Sequence, residues 1–181
     1  MKKILALLMI VIGYTFVSCE KEAWGDGDPA LEHVYFFGFQ DVGPLGSNRY
    51  KNLQTYEVNQ GGTVDIPVQF YSERIRSYDV TVYYYVSGLT LGTDYQIVDE
   101  SGAVLSPGAN GAFPMVFPQA KKETKNIHVK ALNGAIGSIN VLTFDPNVGA
   151  ISHPDNITNS KTESYEVRAF TMNYKVTVNI K

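Results

Sequence analysis

The chain has 181 residues, of which 44% are hydrophobic and 18% are charged, and its formal net charge is −3. This length suits one domain, with or without a tether, and the composition excludes a disordered chain. The slight acidic balance without a Lys/Arg cluster argues against nucleic acid as a partner, and the single cysteine, Cys19, excludes an internal disulfide.

The first 18 residues have the pattern of an export signal. Two lysines open the chain, and residues 4–17 form an apolar run that is shorter than the roughly 20 residues of a spanning helix. Ser18 and Cys19 then complete a segment that resembles a bacterial lipoprotein signal peptide, although Phe16 stands where that family usually has Leu. The resemblance implies cleavage before Cys19 and lipidation of its side chain. A soluble secreted protein or a short membrane anchor is the alternative.

Residues 19–31 are predicted to form a flexible tether, because they are rich in charge, Gly and Pro and have no periodic apolar face. Glu20, Lys21 and Glu22 directly follow Cys19. This charged patch resembles the surface-export signal of lipoproteins from the Bacteroidetes group. The segment therefore predicts a lipid anchor in the outer membrane with the protein exposed at the cell surface, and exposure to the periplasm is the alternative.

Residues 32–181 are predicted to be all-β, because they show period-two alternation and no sustained helical period. The alternation is clearest in residues 63–71, 78–86, 124–132 and 172–181. Weaker strand candidates are residues 32–40, 53–58, 94–98, 113–117, 138–144 and 164–170. Turn residues separate them, including the stretch SHPDNITNS at residues 152–160. Short strands with one apolar face each predict a β-sandwich or a barrel.

Residues 56–129 resemble an immunoglobulin-like domain of the Calx-beta type. The matching stretches are YEVNQGGTVDIPVQF, YDVTVYYYVSGLTLGTDYQI and FPQAKKETKNIHV. The resemblance implies an immunoglobulin-like β-sandwich, and calcium-binding members of the family use several loop carboxylates. Only Asp94 matches such a position here, whereas Gln60 and the acid-free stretch ALNGAIGS stand at others. Asp94 is therefore a weak calcium candidate, and a turn-capping carboxylate is the alternative.

No motif in the sequence indicates catalysis. The three histidines lack metal-ligand spacing, and the anchor accounts for Cys19. Glu73, Asp79, Asp99 and Glu100 could supply a carboxylate pair for glycoside hydrolysis, but the sequence does not bring any two of them together. We therefore expect a protein that is not an enzyme and that carries no cofactor.

Four tyrosines are the candidate binding residues. Tyr83 and Tyr85 are predicted to share the outward face of one strand, and Tyr71 and Tyr78 flank the turn SERIRS. Exposed rings can stack on sugars or anchor a protein interface, although they also pack against neighbouring strands.

The whole pattern favours a non-enzymatic surface protein that binds a glycan or a protein. One form of this hypothesis is an accessory subunit of a larger outer-membrane complex. A structural or adhesive module is the alternative. Assembly by strand addition would require an unpaired edge, for which residues 172–181 are the segment to inspect. A glycan-active hydrolase is a third hypothesis.

Overall fold

The computed structural model describes residues 32–40, 54–147, 157–169 and 174–181. Contacts divide the chain into two compact units, Met1–Glu32 and His33–Lys181. Of the first unit only Glu32 is described, so the predicted signal peptide, Cys19 and the predicted tether lie outside the described residues. No helix within the described ranges is long and apolar enough to cross a membrane.

The described part of the second unit is built from strands. In chain order they are β1 (Val34–Phe39), β2 (Thr55–Val58), β3 (Thr63–Tyr71), β4 (Val80–Gly88), β5 (Tyr95–Val98), β6 (Val104–Leu105), β7 (Phe113–Phe117), β8 (Glu123–Ala131), β9 (Gly137–Leu142), β10 (Thr158–Lys161), β11 (Glu166–Ala169) and β12 (Lys175–Ile180). Short 3-10 turns at Ala109–Gly111 and Pro118–Ala120 lie on either side of β7.

These strands form two sheets. One has seven strands in the order β10-β11-β1-β3-β8-β5-β6, and the other has five in the order β2-β12-β9-β4-β7. Neighbouring strands are antiparallel, except that β1 pairs with β11 and β12 pairs with β2 in parallel. The predicted all-β, immunoglobulin-like sandwich is confirmed as two mainly antiparallel sheets.

A large hydrophobic core joins the two sheets, because every described strand except β6 and β10 contributes buried apolar residues to the inner side. A second, smaller cluster contains Leu142, Phe144 and Ala169. On β3, Ile66, Val68 and Phe70 are fully buried. The ring of Phe70 stacks on the ring of Phe117 in β7, with 4.9 Å between their centroids. Since β3 and β7 belong to different sheets, this contact crosses the space between them.

The strands with the clearest alternation are confirmed as β3, β4, β8 and β12, and the six weaker candidates are confirmed as β1, β2, β5, β7, β9 and β11. The prediction of a turn over residues 152–160 is wrong at its end, where β10 begins at Thr158. The segment Thr158–Lys161 has no apolar alternation, and its strand conformation depends on pairing with β11. The two-residue strand β6 was likewise not predicted.

The strand β12 is internal, since it pairs with β2 on one side and with β9 on the other. It therefore does not offer the unpaired edge that the adhesive alternative requires. The edge strand β7 is also poorly suited to strand addition. Pro114 lacks a backbone N–H, and the carbonyl of Val116 accepts a hydrogen bond of 2.8 Å from Lys125 Nζ.

Candidate functional site

The outer side of the five-stranded sheet carries a continuous set of uncharged side chains, which we call the neutral face. Its members are exposed or half-buried and alternate with the core residues of β4, β7, β9 and β12. The neutral face consists of Thr81, Tyr83, Tyr85, Ser87, Pro114, Val116, Ser138, Asn140, Thr177 and Asn179. Charged residues lie at its border: Lys175 is opposite Leu142, and Glu57 of β2 is opposite Asn179 and forms an ion pair with Lys181.

One half of the neutral face is aromatic and apolar. Tyr83 lies opposite Pro114 on the neighbouring strand, and Thr81 lies opposite Val116, which is 43% exposed. Tyr85 follows two residues after Tyr83, so the two side chains project from the same side of β4. Their Cα atoms are about 6.8 Å apart along the strand. This arrangement confirms the predicted outward orientation of both tyrosines, since Val82 and Tyr84 between and beside them are buried.

The hydroxyl of Tyr85 is neutral at physiological pH. Burial raises the pKa of Tyr85, and the negative charge of nearby Asp145 raises it further, as does ionisation of Tyr83 at high pH. A neutral phenol keeps its proton and can both donate and accept a hydrogen bond. The aromatic half therefore presents apolar rings with polar, uncharged tips.

The other half of the neutral face is formed by hydroxyls and amides. The Thr177 hydroxyl donates to Asn140 Oδ1 at 3.0 Å, and the Ser138 hydroxyl donates to Asn179 Oδ1 at 2.7 Å. In both pairs the amide oxygen accepts, and the NH₂ group is the donor end of the side chain. Ser87 lies opposite Asn140, so this half adjoins the aromatic half without a gap.

The backbone at Tyr83 is fixed by β10 and the turn after it, through residues that we call the β10 seam: Asn159 and Ser160 of β10 and Tyr165 of the turn. The strand β9 pairs with β4 only from Tyr85 onward. Before that point, Asn159 Oδ1 accepts the N–H of Tyr83 at 2.9 Å, and Asn159 Nδ2 donates to the Tyr83 carbonyl at 2.6 Å. The side chain thus substitutes for a neighbouring strand at this position.

The rest of the β10 seam continues along β4 in the same way. The Ser160 hydroxyl donates to the Thr81 carbonyl at 2.7 Å, and the Thr81 N–H donates to the Tyr165 hydroxyl at 3.0 Å. Asn159 Nδ2 also donates to the Thr143 carbonyl at 2.7 Å. The sequence did not indicate these residues, because Asn159 lies 76 positions from Tyr83 and carries no local motif.

The other two candidate tyrosines do not join Tyr83 and Tyr85. The Tyr78 hydroxyl is hydrogen-bonded to His33 Nδ1 and to the Tyr35 hydroxyl, each at 2.8 Å, and its ring stacks on Tyr165 at a centroid distance of 5.8 Å. These contacts favour a structural role for Tyr78. Tyr71 lies on the seven-stranded sheet, where the Lys122 ammonium is 5.8 Å from its ring centroid.

The outer side of the seven-stranded sheet differs in chemistry, and we call it the charged face. Its outward ionisable residues are Asp65, Lys122, His128, Lys130, Lys161, Glu166 and Arg168. The Glu166 carboxylate accepts hydrogen bonds from Lys161 Nζ at 2.9 Å and from Arg168 Nε at 2.8 Å. These bonds lower the pKa of Glu166.

Three of the loop carboxylates that could be ligands or catalytic acids, Asp79, Asp94 and Asp99, cap turns instead. Asp94 Oδ2 accepts the N–H of Thr90 at 2.8 Å, which is the capping role that was the alternative to calcium binding. Asp99 Oδ1 accepts bonds from the hydroxyl and N–H of Ser101, and these bonds lower the pKa of Asp99. Asp79 Oδ1 accepts the N–H of Gln119 at 2.9 Å.

Within the described ranges, no group of three or more His, Cys, Asp or Glu residues could hold a metal ion. The arrangement of the described carboxylates therefore favours a structural use for them.

A comparison with models of protein families finds no match, and no curated protein matches the chain. Among solved structures, CaCohA2 from Clostridium acetobutylicum is similar with a TM-score of 0.40 and 12% identity, over 82% of this chain and 92% of that chain. The third ScaB cohesin of R. flavefaciens, in complex with a group 1 dockerin, has a TM-score of 0.31 and 14% identity, over 82% and 95% of the two chains.

A family 123 glycoside hydrolase from Clostridium perfringens has a TM-score of 0.30 and 9% identity, over 71% of this chain and 22% of that chain. At these identities and TM-scores, the likenesses identify no function for this chain.

Proposed function

We propose that this chain is a non-enzymatic binding protein at the surface of a Bacteroidetes-type bacterium, held in the outer membrane by lipidated Cys19. The lipoprotein-like segment before Cys19 and the charged patch after it support the anchor and the surface location. The resemblance of residues 56–129 to Calx-beta-type domains belongs to the same proposal. The sandwich would act as a binding module for a glycan or a protein, with the neutral face as its binding surface.

The observation that carries the proposal is the pair Tyr83 and Tyr85 on the outward side of β4, beside Pro114 and Val116 of β7. An aromatic and apolar strip at the surface is unfavourable in water unless a partner covers it. Because the β10 seam fixes the backbone at Tyr83, little conformational entropy would be lost when a partner binds.

The uses of the described carboxylates support a non-enzymatic role. Asp79, Asp94 and Asp99 each accept backbone N–H groups in turns, which holds them in place as capping groups. Glycoside hydrolysis would instead need two carboxyl groups that face each other across a substrate.

Affinity capture from solubilised outer membranes tests the binding role. We expect the full chain to retain a specific glycan or protein, and the double variant Tyr83→Ala/Tyr85→Ala to lose it. Tyr71→Ala, which truncates a tyrosine on the charged face, is the matched control and should retain the partner. Capture that returns nothing specific, or that is lost equally in the control, would contradict the proposal.

The anchor has a separate test. Cys19→Ser removes the thiol that lipid would modify, so we expect the protein to move from the membrane fraction to the soluble fraction after cell lysis. Ser18→Ala keeps a small residue before Cys19 and should leave the protein in the membrane. Protease treatment of intact cells then distinguishes the cell surface from the periplasm. Retention of the Cys19→Ser protein in the membrane would show that the anchor hypothesis is wrong.

A further inference from the structure

We infer that the neutral face binds a neutral polysaccharide, with the rings of Tyr83 and Tyr85 against sugar faces and the amides of Asn140 and Asn179 bonded to sugar hydroxyls. The inference rests on the proposed function and names the ligand class for the same surface. It depends on three properties of the neutral face: its lack of charge, the placement of its rings and the arrangement of its polar groups.

The charge of the neutral face is the first property. None of its ten residues is charged. An anionic glycan or a nucleic acid is normally held by Arg or Lys through charge-assisted hydrogen bonds. Charged groups at its border are paired with one another: Glu57, which lies opposite Asn179, forms an ion pair with Lys181. Lys125, whose Nζ donates to the Val116 carbonyl, forms an ion pair with Glu123. The face therefore suits a ligand that carries no charge.

The placement of the rings is the second property. Tyr83 and Tyr85 project from one side of β4 about 6.8 Å apart, and Pro114 lies directly opposite Tyr83. The face of an aromatic ring is electron-rich and attracts the weakly positive C–H groups on the flat side of a sugar. Two successive aromatic residues beside a proline on one side of a sheet can provide a platform for a chain of sugars.

The polar half supplies the third property. Sugar hydroxyls both donate and accept hydrogen bonds, and so do the hydroxyl and amide groups of Ser87, Ser138, Asn140, Thr177 and Asn179. The four strands β7, β4, β9 and β12 are adjacent, and paired strands are about 4.8 Å apart, so the neutral face is roughly 14 Å wide. A ligand on this face can touch rings and amides at the same time.

A protein partner fits these properties less well. Interfaces between proteins concentrate their binding energy in buried Trp, Tyr and Arg anchors surrounded by apolar contacts. Here the apolar strip is limited to β4 and β7, and hydroxyls and amides cover β9 and β12. The neutral polysaccharide is thus the ligand class that uses the whole face.

Native affinity electrophoresis of the purified full chain in detergent tests the inference. Gels would contain a neutral polysaccharide (galactomannan, xylan or dextran) or the anionic polygalacturonate. We expect retardation by at least one neutral polysaccharide, and its strength should stay constant from about 0.05 to about 0.5 M NaCl because no ion pair is formed. Retardation by polygalacturonate alone, or by none of the polysaccharides, would overturn the inference.

Variants then assign the binding to the neutral face. We expect Tyr83→Ala and Tyr85→Ala each to weaken retardation several-fold, and the double variant roughly tenfold or more. Tyr83→Phe keeps the ring and should bind like the wild type, which separates loss of stacking from loss of folding. Asn179→Ala should weaken binding by a smaller factor, and Tyr71→Ala should change nothing. Equal losses in Tyr83→Ala and Tyr71→Ala would overturn the assignment.

The inference and the proposed function can fail separately. If membranes yield a protein partner that requires Tyr83 and Tyr85, while no polysaccharide retards the chain, the inference is wrong and the proposed binding role stands. If neither a membrane partner nor a polysaccharide is bound, both are wrong.

Discussion

The two outer faces of the sandwich are built on the same strand pattern but differ in chemistry. The charged face contains cross-strand ion pairs, such as the contact of 2.9 Å between Lys161 and Glu166. The neutral face contains cross-strand pairs of uncharged groups, such as Tyr83 with Pro114 and Asn140 with Thr177. Both faces lie over the same core, so the core does not determine their difference.

The two faces differ in how well water solvates them. Exposed charges are well hydrated, and their ion pairs contribute only about 0–1 kcal/mol each, so the charged face is explained by solubility and modest local stabilisation. Half-exposed tyrosines beside proline and valine are less well hydrated than charges, and the proposed function assigns them to binding.

The largest effect should come from the residue that connects the two sheets. Asn159 belongs to the edge of the seven-stranded sheet, yet its amide holds the backbone of β4 beneath Tyr83. Asn159→Ala leaves one N–H and two carbonyl groups without this partner, so we expect about 2–4 kcal/mol lower stability.

Denaturant unfolding measures this loss. Asn126→Ala, an exposed asparagine on the charged face, is the matched control and should change stability by less than about 0.5 kcal/mol. A loss below about 1 kcal/mol in Asn159→Ala would show that the β10 seam does not hold β4.

An intermediate effect should follow from placing a charge on the neutral face. Tyr83→Lys removes a ring and adds a cation opposite Pro114, so we expect roughly tenfold weaker binding of neutral polysaccharide, or about 1.4 kcal/mol. Gln69→Lys adds the same charge to the charged face and should leave binding unchanged. Affinity electrophoresis compares the two variants, and similar losses in both would remove the distinction between the faces.

The smallest effect should come from the ion pairs of the charged face. The pKa of Glu166 is lowered from 4.5 by hydrogen bonds from Lys161 and Arg168. The carboxylate therefore stabilises the folded state above pH 4.5, and this contribution is lost as the pH falls through the lowered pKa. We expect Glu166→Gln to destabilise the protein at pH 7 by about 0.5–1 kcal/mol, because the group is partly exposed.

Unfolding experiments between neutral and acidic pH check this expectation. The gap between wild type and Glu166→Gln should close below pH 4.5, whereas the exposed Glu163→Gln should show no gap at pH 7. A gap that persists at low pH would mean that the substitution acts through packing and not through charge.

Predictions from sequence succeeded where apolar and polar residues alternate strongly along a strand. In β3 and β12 the buried residues are those that the pattern selects, since the period of two places alternate side chains on opposite sides of a strand. The same rule placed Tyr83 and Tyr85 outward. Prediction failed for β10, because its four residues are polar and show no apolar alternation, and its strand conformation depends on pairing with β11.

The grouping of the four tyrosines shows the same limit. Tyr71 and Tyr78 are close in sequence to Tyr83 and Tyr85, but Tyr71 lies on the other outer face and Tyr78 bonds to His33 and Tyr35. Sequence distance does not reveal which strands become neighbours, and only neighbouring strands bring side chains onto one surface.

The sequence by itself determined the all-β class and the side of each strongly alternating strand that faces the core, because these depend on local periodicity. Only the tertiary structure decided the order of the strands. That order places Pro114 beside Tyr83, Asn140 beside Ser87 and the amide of Asn159 against the backbone of β4. The neutral face exists because pairing joins residues that are distant in the chain, and no spacing rule within one strand contains that information.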